Sequence, residues 1–200
     1  MPLEKDPQST ASETSAGAER REYFRVEDQL ILRYREIPRS AISDAPERHF
    51  DNSEVFELLR ELRHIDHEHN NVLRALSEQN RELGMYLKNV NRKIELVAIA
   101  LASLDQVQQG QTPQSASISE SGLAFTVDPH LAIGSTLALE LILLPQHTGL
   151  ALYGEVVMNR DEPPARTVVT FLRLRESDRQ VLAKHILQVQ IAAKRQSQGL

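Results

Sequence analysis

Apolar residues recur on alternating three- and four-residue steps from Asn52 to Gln109. Val55, Leu58, Leu62, Ile65, Val72 and Leu76 form one ridge, with His69 its one polar member. Leu83, Leu87, Val90, Ile94, Val97, Leu101 and Leu104 form a second. Steps averaging about 3.5 residues hold one seam of a helix against a partner helix in a left-handed supercoil. The two ridges are out of phase. Continuing the first would put Gln79, Tyr86 and Lys93 at its d positions, whereas the second steps from Leu87 to Val90 and from Ile94 to Val97. Between them lie the polar run Ser77 to Glu82 and then Gly84, a residue that weakens a helix interior by about 1 kcal/mol. The pattern predicts two helices with a break between residues 80 and 85.

Chain geometry agrees with a break. One unbroken helix of this length would measure roughly 84 Å, while the flanking segments could span only about 65 Å when fully extended. If the strands on either side share a domain, the helical stretch must double back. In the second helix Leu87, Ile94 and Leu101 occupy a, and Leu83, Val90, Val97 and Leu104 occupy d. That choice leans toward assemblies larger than dimers. It suggests a four-stranded core, taken as parallel, with the first helix packed back along its outside. The spacing alone also permits an antiparallel core.

Outside this stretch the period changes to two. Val26, Leu30, Leu32 and Tyr34 alternate roughly along a strand ended by Pro38, and Arg39 to His49 reads as polar linker. After the loop-like QGQTPQSAS, four strands are expected at Gly122–Val127, Thr136–Leu144, Leu150–Met158 and Thr167–Leu172, punctuated by proline and glycine. Short strands with turns between them suggest an antiparallel barrel or sandwich. A last helix begins near Ser177, with Leu182, Ile186, Val189 and Ala193 on one stripe.

Composition narrows the function classes. The net charge of −5 offers no general attraction for nucleic acid or anionic membrane. The absence of cysteine removes a disulfide scaffold and thiol chemistry. The longest apolar run, Leu137 to Leu144, is interrupted by Glu140 and is far short of a membrane span. Met1 to Glu19 is rich in Ser, Ala, Glu and Pro, lacks a signal-peptide core and reads as a disordered tail. A cytoplasmic protein is the expectation. No phosphate-binding loop, nucleophile elbow or HExxH zinc motif is present, so no enzyme activity is expected. His64, His67 and His69 are scattered around a helix and do not converge as metal ligands.

One basic run carries chemistry. In RREYFR, the arginines Arg20, Arg21 and Arg25 lie directly before a strand. Arginine presents a planar fork of donors that matches phosphate oxygens and the guanine O6/N7 edge. RREYFR resembles the RRxxxR signature of PilZ domains, and SISESGLAF (Ser117 to Phe125) resembles their second signature, [D/N]xSxxG. The order of later segments, Gly134 to Leu143, Gly154 to Val157 and Val168 to Phe171 before a closing helix, is also similar.

The resemblance implies an α+β protein with a six-stranded antiparallel β-barrel, here carrying an inserted coiled-coil hairpin and a C-terminal helix. The expected boundaries are a tail at 1–19, a discontinuous barrel at 20–38 and 112–176, a hairpin at 51–109 and a helix at 177–196. It also implies a non-enzymatic receptor for the bacterial second messenger cyclic di-GMP, with no cofactor. Arg21 and Arg25 would be the principal contacts, Arg20 an accessory one, and Ser117, Ser119 and Gly122 would complete the site. Ser117 departs from the signature, which has Asp or Asn there. A hydroxyl replaces a carboxylate that could accept two bonds from a guanine edge, a loss of about 1.5–3 kcal/mol and hence weakened binding. The expected partners are three further copies of the chain, held through Leu83, Leu87, Val90, Ile94, Val97, Leu101 and Leu104, and an unidentified effector protein. The alternative is an oligomeric scaffold that does not bind the messenger itself.

Overall fold

The computed structural model describes residues 25–51 and 54–197. The tail expected at residues 1–19, together with Arg20 and Arg21, lies outside these residues. Six strands, β1 (Val26–Ile37), β2 (Gln114–Ser119), β3 (Gly122–Phe125), β4 (Thr136–Leu143), β5 (Thr148–Arg160) and β6 (Arg166–Leu172), close into an antiparallel barrel in the order β1-β2-β3-β6-β5-β4. Closure depends on β1 changing partner midway. Val26 to Leu30 pair with β2, and Leu30 to Ile37 pair with β4. Alternate residues point inward, and Leu30, Ile118, Leu123, Phe125, Leu137, Leu139 and their neighbours fill the interior.

The alternation fails in β4 for a reason. Its inner side faces the barrel core, while its outer side is covered too: Ala138 by Phe50, and Ile142 by Phe56. A strand buried on both faces reads as the continuous run TLALELIL. This corrects the polar-linker reading of Arg39 to His49. The segment forms two short 3-10 turns, Arg39–Ser43 and Pro46–His49, that deliver Phe50 and Ile42 onto the barrel wall. The Tyr153 hydroxyl bonds the Ala41 and Asp44 carbonyl oxygens and anchors the segment there. A second correction concerns β2. Its six residues, QSASIS, lie within and beyond a stretch read as loop, because small polar residues carry almost no strand signal of their own. Pairing with β1 on one side and β3 on the other imposes the strand.

The helical arm is α1 (Glu54–Gln79) and α2 (Arg81–Gln108), which run antiparallel: Leu59 packs on Ala98 and Ala102 near the barrel, and Ser77 meets Gly84 at the tip. The turn between them is one residue, Asn80, whose extended backbone stops α1 while its side chain accepts from the Leu83 backbone N–H at 3.0 Å and starts α2. Gly84 is therefore not the breaker. It sits inside α2, buried, at a point where a Cβ would run into the backbone of Ser77. The last helix, α3 (Glu176–Ser197), lays Leu182 and Ile186 over an open end of the barrel, where His185 Nε2 lies 2.6 Å from Asp28 Oδ2. Its expected stripe is buried only in the first half, and Ala193 is exposed. No helix among the described residues is long and apolar enough to cross a membrane.

Candidate functional site

Two surfaces hold the residues singled out from the sequence. The first is the outer face of β1, β2 and β3. Because Ala116 and Ile118 point into the core, Ser117 between them points outward. Its cross-strand partners are Glu27 on β1 and Ala124 on β3. Arg25 precedes β1 immediately, two residues from Glu27 and hence on the same side, and is exposed.

Ser119 and Gly122 are built into the same hairpin, but inwardly. The Ser119 hydroxyl is fully buried and donates to the Gly122 carbonyl oxygen at 3.1 Å, closing the β2–β3 turn. Gly122 lies so close to β6 that a Cβ would collide with the Val169 carbonyl oxygen. Of the two explanations for a glycine at this position, positive φ or close approach, the structure selects close approach. Thus Ser117 and Arg25 face outward, while Ser119 and Gly122 hold the turn that presents them.

The structure adds two residues the sequence did not reveal. Arg166 of β6 reaches over this face and binds the Glu27 carboxylate through both nitrogens of its fork, at 2.8 and 2.7 Å. The arginine is largely covered, with 14% of its side chain exposed against 61% for Glu27. Hydrogen bonding from Arg166 holds the Glu27 carboxyl below its usual value; burial opposes this, and a hydrogen bond from Ser117 adds to it. Glu27 and Arg166 are 139 positions apart. Only strand register brings them together.

The second surface is the arm. In α2 the face turned to α1 is made of small residues, Gly84, Ala98 and Ala102. The predicted ridge looks elsewhere. Leu83, Ile94, Val97, Leu101 and Leu104 are exposed in the single chain, Val97 to 69%, while Leu87 and Val90 are half-buried. On α1, Leu58, Ile65 and Val72, seven apart, are exposed as well. His69 is also exposed, its Nδ1 3.0 Å from the Ile65 carbonyl oxygen. His64 pairs with Glu68 along its own helix, and among the described residues no group of three or more His, Asp and Glu converges as a metal site.

Where the arm meets the barrel, Phe56 lies between Ile31 and Ile142. Beside it Glu140 is buried, 3.0 Å from Arg33, with Oε1 lacking a hydrogen-bond partner. Burial pushes its carboxyl up to about 7; Arg33 opposes the rise, and Glu57, Arg60 and Glu47 are the other charges acting on it.

Comparison with known proteins bears on the barrel first. A PilZ domain family model matches residues 96–188, from the second half of α2 through β2–β6 into α3. A pathogenic protein from Xanthomonas campestris, a tetrameric PilZ domain self-assembled via a helical bundle, matches 86% of this chain and 90% of its own at TM-score 0.53 and 14% identity. The inhibitor of motility from Bacillus subtilis matches 87% of this chain and 52% of its own at TM-score 0.43 and 13% identity. The PilZ domain with c-di-GMP of YcgR from Escherichia coli matches 46% of this chain and 82% of its own at TM-score 0.35 and 14% identity. No curated protein matches the sequence. Residues 96–188 thus match the PilZ domain family, and the closed six-stranded antiparallel barrel with an α-helical arm between β1 and β2 and a closing helix is similar in fold to a tetrameric PilZ protein.

Proposed function

We propose that this chain is a non-enzymatic signalling protein that assembles as a tetramer through α2 and binds cyclic di-GMP weakly on the outer face of β1–β3. The observation that carries the reading is the α2 ridge. Five of its seven heptad-spaced apolar residues, Leu83, Ile94, Val97, Leu101 and Leu104, are exposed in the single chain, while glycine and alanine serve the contact within the arm. A helix that needed only to cover its own hairpin would turn its large apolar residues inward. Contiguous apolar surface of this kind is characteristic of an interface, and a tetrameric relative of the same fold is held by a helical bundle. Residues at a and d of α2 would form the core of the assembly, with α1 outside it.

For the ligand, the support is chemical. Arg20, Arg21 and Arg25 precede β1, and Arg25 stands on the side of the strand to which Ser117 points. Engaging both phosphodiesters there would change the surface beside β1 that an effector protein meets. The second reading, a scaffold without nucleotide, is favoured by one specific observation: the position of the signature carboxylate is Ser117, and Arg166 already lies over the face.

Sedimentation at micromolar concentration tests the assembly. A tetramer is expected, and the double variant Ile94→Asp, Leu101→Asp is expected to be a folded monomer; a wild-type monomer ends the reading. Titration calorimetry with cyclic di-GMP is expected to give micromolar or weaker affinity, abolished by Arg21→Ala with Arg25→Ala. Binding that survives that pair of substitutions rules out the arginine assignment.

A further inference from the structure

The outer face of the barrel lacks a carboxylate at position 117 but does not lack a carboxylate. Glu27 is the direct cross-strand partner of Ser117, and such partners carry their Cβ atoms about 5 Å apart. Its longer stem therefore brings its oxygens over the Ser117 side chain. The Ser117 hydroxyl stands close enough to the Glu27 carboxylate to help hold its carboxyl below the usual value. Arg166 fixes the same carboxylate bidentately, at 2.8 and 2.7 Å. A bidentate anchor leaves the carboxylate little rotational freedom, which is how a recognition group avoids an ordering cost on binding.

The anchoring does not consume the group. An ionised carboxylate offers about four acceptor positions. Arg166 takes one on each oxygen, and the Glu27 side chain remains 61% exposed. The exposed side chain lies on the side of β1 that also carries Arg25. Arg166 occupies the edge on which both oxygens accept in parallel, so the remaining lone pairs diverge and accept one donor each; a guanine N1–H is such a donor. Adenine has no N1–H and presents an acceptor in its place.

Resting on the reading of this face as a cyclic di-GMP site, we infer that Glu27 supplies from β1 the guanine-recognising carboxylate that position 117 lacks. Arg166 and Ser117 are its positioning residues. The Glu27–Arg166 pair is then part of the binding surface and not a plug over it. The two possibilities differ in sign: loss of a recognition group weakens binding, whereas loss of a plug tightens it.

The test titrates the full chain with cyclic di-GMP and with cyclic di-AMP, using wild type, Glu27→Gln, Ser117→Asp and the double variant Glu27→Gln, Ser117→Asp. Glu27→Gln keeps the shape of the side chain, and thermal melting checks that the barrel is intact. Expected for Glu27→Gln is a loss of ten-fold or more for cyclic di-GMP with a narrowed preference over cyclic di-AMP. The double variant is expected to recover to within a few-fold of Ser117→Asp, because the carboxylate is then restored in the neighbouring strand. Unchanged or tighter binding by Glu27→Gln overturns the proposal and identifies the pair as a cover. Binding by Ser117→Asp but not by wild type also overturns it, while leaving the face as a nucleotide site. Absence of binding in both wild type and Ser117→Asp overturns the nucleotide reading itself, and Glu27 recognition with it.

Discussion

Leu139 and Leu101 are the same residue in the two halves of this molecule, and they have opposite surroundings. Leu139 of β4 is fully enclosed by the barrel, with 0% of its surface exposed, and Leu101 of α2 is 40% exposed. The barrel satisfies its apolar residues within one chain: β1 closes the sheet, α3 covers an end, and the arm and the 3-10 turns cover the outside of β4. In the arm, α2 buries its narrow small-residue face and leaves its broad apolar face to solvent. The same hydrophobic chemistry stabilises the fold in one region and, on the proposed assembly, selects a partner in the other.

The sharpest way to break this comparison is to truncate both leucines. Leu139→Ala is expected to cost about 2–5 kcal/mol at any protein concentration, because it opens a cavity in an enclosed core. Leu101→Ala is expected to leave the dilute chain within about 0.5 kcal/mol of wild type, and to lower the melting temperature only where copies associate. Chemical denaturation across a hundred-fold concentration range measures both. A concentration-independent loss at Leu101 would remove the distinction between the two regions.

The junction between the regions should respond to pH. The Glu140 carboxyl is raised from 4.5 to about 7 in the folded chain, so the folded state holds a proton that the unfolded state has released. The stability from this group is complete below about pH 4.5 and is lost as pH rises through about 7, on the order of 3 kcal/mol across the window. Glu140→Gln is expected to flatten that part of the curve. An unaltered slope between pH 5 and 8 in the variant would move the effect to another group.

Gly84 provides a smaller test at the far end of the arm. In an exposed helix, glycine to alanine stabilises by about 1 kcal/mol. Here the new Cβ would meet the Ser77 backbone, and overpacking of this kind costs about 1–3 kcal/mol. Gly84→Ala should therefore show a small net loss, read as faster amide exchange near the tip of α1 and α2. A gain in stability would mean that the helices are not in close contact there.

Much of this architecture was legible in the residue pattern because it depends on local periodicity. The heptad ridges required helices, their phase shift required a turn, and the alternating stretches after residue 120 required strands, since each period follows from the geometry of a single element. The paired signatures around Arg25 and Ser117 resembled those of PilZ domains, and a PilZ domain family model matches residues 96–188. The β2 strand was not legible, because its Ser and Ala residues have no preference strong enough to act without β1 and β3 beside them. Nor were the roles of Ser119 and Gly122 as turn closure and close approach to β6, which require the neighbouring strand in place.

The sequence by itself determined which segments bury an apolar face and at what period, because those are properties of one element at a time. Tertiary structure alone decided what each face meets. It set Asn80 as the turn and Gly84 as the helix contact, and wrapped Arg39 to Phe50 onto the barrel. It also brought Glu27, Ser117 and Arg166 onto one surface. The physical reason is register: which residue stands opposite which, across strands far apart in the chain, is fixed by closure of the barrel and not by any local preference.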